Sequence, residues 1–352
     1  MYTNEEINLI ILSSFSELSY AFKKILSEQA DLKNYENFLI KTLSGGVYNK
    51  VNSLFHDEGY RGGILKSLEK KGIKCVTIYS DGYPETLKNI SAPPVVLYCK
   101  GDVSLLKTNC FSIVGSRRTS QKSLADCKKM AGEISSRFTV VSGFADGADS
   151  AALEGALAAG GKVISVFANG LDYIYPAINR PLADKVEKCG LIITEYPPEV
   201  GPKPYHFPVR NRIIAGLSKG TLVVSADKTS GALITADYAA DYGRDVFAFP
   251  YSIGAFSGAG CNALIKKGAF LAENILDIFG VYSLDFNTPA QTDPLSEDEN
   301  AVYVAVKSLG DAFLPDVAET LGKPLYEVRS IICALEIKKK VAALGGNRYS
   351  AI

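Results

Sequence analysis

Little in this sequence of 352 residues points to metal or thiol chemistry. It has only two histidines, His56 and His206, and its seven cysteines are spread from Cys75 to Cys333 without one CxxC pair. Structural zinc sites and disulfide frameworks both need denser, closely spaced ligands, so neither is expected. Lys and Arg number 38, as do Asp and Glu. Net charge therefore neither supports nor excludes a nucleic-acid partner, which would have to be held by a local basic patch. No apolar span approaches the roughly 18 residues of a membrane helix, and the start, MYTNEE followed by INLIIL, has no basic leader region or cleavage signal; the cytoplasm is the expected location. The GxxxxGK[ST] and GxGxxG loops are also missing, which argues against binding ATP or NAD by those modes.

What is present is a regular beat. Between residues 108 and 280, apolar runs at Phe111–Gly115, Thr139–Gly143, Lys162–Ala168, Gly190–Tyr196, Thr221–Ala226 and Asp245–Pro250 alternate with helical patterns, and Ala269–Glu273 is a candidate last strand. In the first interval Leu124, Cys127, Met130, Ala131 and Ile134 share one helical face. Apolar strands alternating with amphipathic helices predict a parallel sheet covered on both faces. The expected class is α/β: an extended Rossmann-like, doubly wound, mostly parallel sheet, with an N-terminal helical module and a C-terminal winged helix.

Four regions follow from the pattern. Residues 1–70 read as helices, with Ile7, Ile10, Ile11, Leu18, Phe22, Ile25 and Leu26 at three- and four-residue steps, a SAM-like or helix-hairpin-helix-like module. Its expected DNA-gripping turn, Ser13–Ser19, has no glycine. Residues 71–280 form the Rossmann-like domain, led by a brace of short β-type runs about the turn Asp81–Pro84. Residues 281–295 lose periodicity and read as a linker. Residues 296–352 give three helices and a Gly-Gly hairpin, the order of a winged helix, with a helix-turn-helix around Leu321–Pro324.

The chemistry gathers where the strands end. From Ser142 to Asp149 a strand runs into a glycine turn and an alanine-rich helix. Gly143 and Gly147, flanking Phe144, leave turn amides uncovered, and the helix points its positive end at them. Either an anion binds there, with Asp149 able to cap the helix, or the small residues only let the strand-to-helix connection pack closely. One unit earlier, Gly115, Ser116, Arg117 and Arg118 set guanidinium groups beside turn amides, a phosphate site unless the arginines are simply solvated. Tyr175, Asn179 and Arg180 place an aromatic beside a base, which suits stacking on single-stranded bases, although tyrosines also fill cores. Arg210, Asn211 and Arg212 fall in the first turn of a helix expected to start at Pro208, where the dipole disfavours cations; either an anionic ligand or a carboxylate such as Glu195 would offset this. Lys228, Ser230 and Gly231 open another helix. Asn262 and Lys266 lie on a glycine-led helix beside Cys261, which reads as a buried small residue because no histidine is near it in sequence. Together these turns read as a surface holding a run of phosphates, with no metal, no cofactor and no nucleophile paired with a base.

The blocks SIVGSRRTS, VVSGFADGADSAAL, GLDYIYPAINRPL, FPVRNRIIAGLS, VVSADKTSGALITADYAADYGRDVFAFP and GCNALIKKGA, in that order, resemble the DNA processing protein A (DprA, or Smf) family. The resemblance covers roughly residues 70–352. It implies a non-enzymatic protein that binds single-stranded DNA, forms a homodimer and helps load the RecA recombinase in natural transformation or related DNA handling. Phosphates would then meet Arg117 and the turn from Ser142 to Gly147, Arg180 and Lys228 would extend the track, and Arg210 to Arg212 would shape the pocket. The sequence departs from the family at three places: Asp146 stands where arginine is usual, Leu153 where histidine is, and Ser225 where glutamate is common. Two other readings stay open. One is a nucleotide-processing enzyme of the phosphoribohydrolase type, whose PGGxGTxxE signature is missing; the other is a regulator acting through the winged helix, whose third helix has few base-reading residues.

Overall fold

Each of the seven apolar runs becomes a strand, and two more come from the brace. In chain order these are β1 (Lys74–Thr77), β2 (Val96–Gly101), β3 (Cys110–Gly115), β4 (Thr139–Ser142), β5 (Val163–Val166), β6 (Leu191–Thr194), β7 (Gly220–Ser225), β8 (Asp245–Ala248) and β9 (Phe270–Leu271). The structure is a computed structural model describing residues 2–15, 18, 43, 45–284, 295–338 and 340–351. Among them the nine strands make one sheet in the order β1-β2-β6-β5-β4-β3-β7-β8-β9. All neighbours from β6 to β9 are parallel, while β2 runs antiparallel to both β6 and β1. The brace thus widens the sheet at one edge.

The intervening segments are helices: α1 (Asn4–Ser13), α2 (Gly45–His56), α3 (Glu58–Lys70), α4 (Glu85–Lys88), α5 (Gln121–Ile134), α6 (Ala148–Ala158), α7 (Arg180–Cys189), α8 (His206–Leu217), α9 (Gly231–Asp241), α10 (Ala259–Lys266) and α11 (Ile275–Phe279). On α5 the buried residues are Ser123, Cys127, Met130, Ala131 and Ile134, four of the five expected; Leu124 is half-buried. In α6 the alanines 148, 151, 152 and 156 are all buried, because their small side chains let the helix pack between the sheet and α5. The chain winds from β3 through β4 and β5 to β6 in one direction and from β7 through β8 to β9 in the other. With right-handed crossovers this reversal puts helices on both faces, the doubly wound arrangement.

At the N-terminus Thr3 caps α1 in a capping box with Glu6, and Ile10, Ile11 and Leu18 are buried. The expected helical positions Phe22, Ile25 and Leu26 lie outside the described residues, as do positions 16, 17 and 19 of the expected turn Ser13–Ser19. The first compact unit is Met1–Leu284 and the second Asp285–Ile352. The start of the expected linker belongs to the first unit, since Tyr282 packs its ring against Phe111, Phe138 and Phe247; residues 285–294 lie outside the described set. The second unit runs α12 (Glu297–Leu309), β10 (Ala312–Phe313), α13 (Leu314–Leu321), α14 (Leu325–Ile337), β11 (Val341–Gly345) and β12 (Arg348–Ala351). Gly322 ends α13 in the left-handed region, and the positive φ of Gly346 and Asn347 turns the final hairpin. Val302, Val306, Leu314, Val317, Val328, Ile332 and Leu335 form its own core.

Candidate nucleic-acid interface

β3 and β7 are neighbours, but the chain leaves them in opposite directions, so the turns at their carboxyl ends part and open a crevice. A groove of about 660 Å³ lies there. It is lined by the turn Gly115–Arg118, by Ala145 and Asp149, by Tyr175, Phe207, Arg210 and Asn211, by Ser230, Gly231 and Thr235 at the start of α9, and by Phe256. A second cavity of about 210 Å³ adjoins it and shares Arg117, Ala145, Tyr175 and Phe207.

The turn after β3 is tied down by its neighbours. The Ser116 amide donates to Oγ and to the carbonyl of Ser225 (3.0 and 2.9 Å), and Ser257 Oγ donates to the Arg118 carbonyl (2.8 Å). Arg117 and Arg118 remain exposed. The Arg117 guanidinium lies 5.2 Å from the centre of the Phe207 ring, and Tyr175 meets the same ring edge-on at 5.7 Å. Tyr175 is 44% exposed and Phe256, also in the groove lining, 72%. A cation held against aromatic faces in the open is suited to phosphate and to base stacking at once.

The turn after β4 differs from expectation. Asp149 does not cap α6, whose N-cap is Gly147 without a side-chain bond. Its carboxylate is buried and accepts from the Ala145 amide (3.3 Å), and the Gly115 amide also stabilises it. The Gly147 amide donates to Asp146 Oδ1 (2.9 Å) and the Ala148 amide to the Ser116 carbonyl (3.3 Å). The protein's own carboxylate thus sits where a bound anion was one of the two readings, and these amides already have partners. Gly147 has φ of +86°, and a Cβ there would stand 2.6 and 2.7 Å from the carbonyl oxygens of Arg117 and Ser116. Gly143 is needed for close approach: a Cβ would stand 2.6 Å from Asp149 Oδ2 and 2.7 Å from Arg210 Nη2. Ser142 and Phe144 face inward; Ser142 Oγ donates to the Ile113 carbonyl (2.7 Å) and the Phe144 ring packs on Phe167 (4.7 Å).

The helix of the RNR block begins at His206, two residues before Pro208, so its arginines lie past the first turn. Arg210 is only 3% exposed and donates to the carbonyls of Gly143 and Val166, joining the ends of β4 and β5 beneath the groove. Burial lowers its guanidinium to about 10, with Asp149 opposing the shift; burial likewise raises the Asp149 carboxyl, against the attraction of Arg210. Asn211 Nδ2 donates to the Gly231 carbonyl (3.2 Å). Arg212 does not line the groove. It forms a two-pronged pair with Glu195 (2.8 and 2.6 Å) and donates to the Ala92 carbonyl (2.9 Å), the carboxylate partner that the sequence left open.

The other expected residues are more scattered. Ser230 caps α9 (3.3 Å from the Ala232 amide) at the groove wall with Gly231, while Lys228 is exposed nearby but is not part of the lining. Asn179 is buried, donating to the Phe144 carbonyl and to Ser150 Oγ, and Arg180 is exposed at the start of α7. Asn262 holds the backbone of Tyr251 in both directions (2.9 and 3.0 Å), and neither it nor exposed Lys266 lines the groove. Cys261 is fully buried and its thiol is pushed up to about 12, unsuited to a nucleophile. His206 is buried too, stacked on Tyr196 at 4.0 Å with Nδ1 3.0 Å from the Ala168 carbonyl. Sequence reasoning missed Phe207 and Phe256; an aromatic directly before a proline, and one inside a Gly-Ser loop, were the available signals.

The chain is similar to several known proteins. Residues 74–283 match the family model described as DNA recombination-mediator protein A. The DNA processing protein DprA of Streptococcus pneumoniae is 41% identical over 216 residues, covering 61% of this chain and 77% of that one, and that of Bacillus subtilis is 40% identical over 218 residues, covering 61% and 73%. The solved structure of the Streptococcus pneumoniae protein superposes with a TM-score of 0.68 at 33% identity, covering 79% of this chain and 98% of that one. A DNA processing protein A from Helicobacter pylori, whose structure concerns its single-stranded DNA binding mode, gives 0.54 at 30% identity, covering 60% and 96%. Among the described residues no helix is long and apolar enough to cross a membrane, and no group of three or more His, Cys, Asp or Glu is placed to hold a metal ion.

Proposed function

We propose that this chain, which belongs to the DNA recombination-mediator protein A family, holds single-stranded DNA in the groove at the carboxyl ends of β3 and β7. The observation that carries this reading is the exposed Arg117 laid against Phe207 beside Tyr175, with Arg118 next to it and exposed Phe256 in the same lining. Such a surface meets the backbone through cations and the bases through ring faces, and needs no particular sequence. Arg180 and Lys228, exposed beyond the lining, extend the track.

The family's role as a recombination mediator extends the proposal to handing the bound strand to RecA in the cytoplasm. A homodimer is the proposed assembly: the sheet ends in the two-residue strand β9, where Phe270 and Leu271 are 44% and 43% exposed among the described residues, and an unpaired apolar edge suits a second copy. We take the second unit as a winged helix on the order of its elements. The protein acts without catalysis in this reading; release of free base from a nucleoside monophosphate would overturn that part.

The test is fluorescence anisotropy of a labelled single-stranded oligonucleotide titrated at several salt concentrations, with duplex as competitor. Four phosphates neutralised by Arg117, Arg118, Arg180 and Lys228 give a log-log salt slope of about −2.8, at roughly −0.7 per contact. Preference for duplex, or no binding at low salt, would refute the proposal.

A further inference from the structure

We infer that Lys71, at the end of α3, is a positioning residue for the bound strand: it fastens together the two loops that carry Tyr175 and Phe207. The inference rests on the reading that the groove holds single-stranded DNA. Lys71 Nζ donates to Asp172 Oδ2 (2.7 Å) in the loop after β5 and to Glu199 Oε1 (2.9 Å) in the loop after β6. Tyr175 lies three residues beyond Asp172, and Phe207 eight beyond Glu199. The Lys71 backbone is itself fixed, because its amide caps α3 by donating to the Ser67 carbonyl (3.1 Å) and β1 begins three residues later.

Burial contributes little to holding these loops. Residues 202–205, which lead to Phe207, are exposed, and so are Asp172, Tyr173 and Tyr175. Their placement depends on ties: the Gly170 amide donates to the Val200 carbonyl (2.7 Å) and the Asp172 amide to the Pro198 carbonyl (3.1 Å), and Lys71 then joins both loops to α3. Burial would lower the Lys71 ammonium, but its hydrogen bonds to Asp172 and Glu199 raise it above its ordinary value, so the bridge is charged at neutral pH. Loops joined in this way hold the Tyr175 ring edge-on to Phe207 (5.7 Å), against which Arg117 lies. A wall assembled before the strand arrives saves the ordering of loops and side chains on binding. Lys71 does not line the groove and its charge is met by two carboxylates, so it acts through the loops rather than on a phosphate.

The experiment measures single-strand affinity by anisotropy at several salt concentrations, with thermal unfolding alongside, for the full-length wild type, for Lys71→Met and for the double variant Asp172→Asn with Glu199→Gln. Both variants remove the same two ion pairs but change the net charge in opposite directions. Loss of positioning weakens binding about fivefold in each, with the wild-type salt slope retained. Partly exposed ion pairs add little to stability, so both variants keep the wild-type melting temperature. Charge alone would weaken Lys71→Met and tighten the double variant, and that result overturns the inference. So do unchanged affinity in either variant, a loss of affinity that accompanies unfolding at the assay temperature, and a slope shallower by about 0.7 in Lys71→Met, which would put Lys71 on a phosphate. Each of these outcomes leaves the single-strand reading standing, whereas no binding by the wild type refutes that reading and this inference with it.

Discussion

Glu195→Gln separates the two arginines of the RNR block by their consequences. The Arg212 side chain is 5% exposed and that of Glu195 11%, and the guanidinium makes two bonds to the carboxylate and others to the carbonyls of Ala92 and Val209. Burial alone would lower the Arg212 guanidinium, but Glu195 more than offsets it and holds it above its ordinary value. Glutamine removes the counter-charge and turns an N–H donor toward another donor, leaving a buried cation without its ion-pair partner. Breaking a buried pair from one side costs about 3–5 kcal/mol. At roughly 2–4 °C per kcal/mol for a large domain, the melting temperature of the first unit falls by roughly 6–20 °C. Thermal and urea unfolding at pH 7 measure this, and the double variant Glu195→Leu with Arg212→Met should recover much of the loss because no charge remains buried. A single variant within about 1 kcal/mol of wild type would show that the pair does not carry Arg212. DNA affinity of the folded variant stays the same, since neither residue lines the groove.

Arg117→Ala should leave the unfolding midpoint in place, because the side chain is exposed, while weakening single-strand binding and making the salt slope shallower by about 0.7, as read by anisotropy. Gly147→Ala forces a side chain into positive φ against two carbonyls, so urea unfolding should show a loss of about 1–3 kcal/mol, and displacement of the Ser116–Arg117 turn should lower DNA affinity as well. Burial pushes the Glu6 carboxyl up, but hydrogen bonds from Ser80 Oγ and the Thr3 amide hold it below its ordinary value. Its stabilisation is therefore full above the unfolded value near 4.5 and disappears as the pH falls through the lower folded value, so acid unfolding followed by circular dichroism should be less steep in Glu6→Gln over that interval.

The sheet was legible in the sequence because its inner strands, β3 to β7, are buried on both faces and need little side-chain information beyond apolarity; all seven runs are found, and only Leu124 strays from the predicted buried face of α5. Gly115 to Arg118, Tyr175, Arg210, Asn211, Ser230 and Gly231 were also brought together as expected. What could not be read was direction. Ser142 and Phe144 lie in the right turn, yet alternation along a strand sends Ser142 into the sheet, and the positive φ of Phe144 turns its ring inward. Nor does spacing tell which arginine of three consecutive residues meets solvent, a carboxylate or a backbone carbonyl, because that depends on strands far away in sequence.

Asp149 shows why this surface suits a polymer more than a small phosphate. A bare glycine turn at a helix N-terminus gathers several amides on one anion and grips a lone phosphate. In this chain the carboxylate of Asp149 occupies that position, supported from below by Arg210, and the neighbouring amides of Ala145, Gly147 and Ala148 already have acceptors. The remaining attraction comes from guanidinium groups on the rim, each worth little alone in water but additive along a strand that presents many phosphates. A nucleoside monophosphate should therefore compete poorly with an oligonucleotide even at high concentration. If it displaced the strand at an equal concentration of phosphate, the turn after β4 would be binding phosphate despite its internal carboxylate, and the assignment of Asp149 would fail.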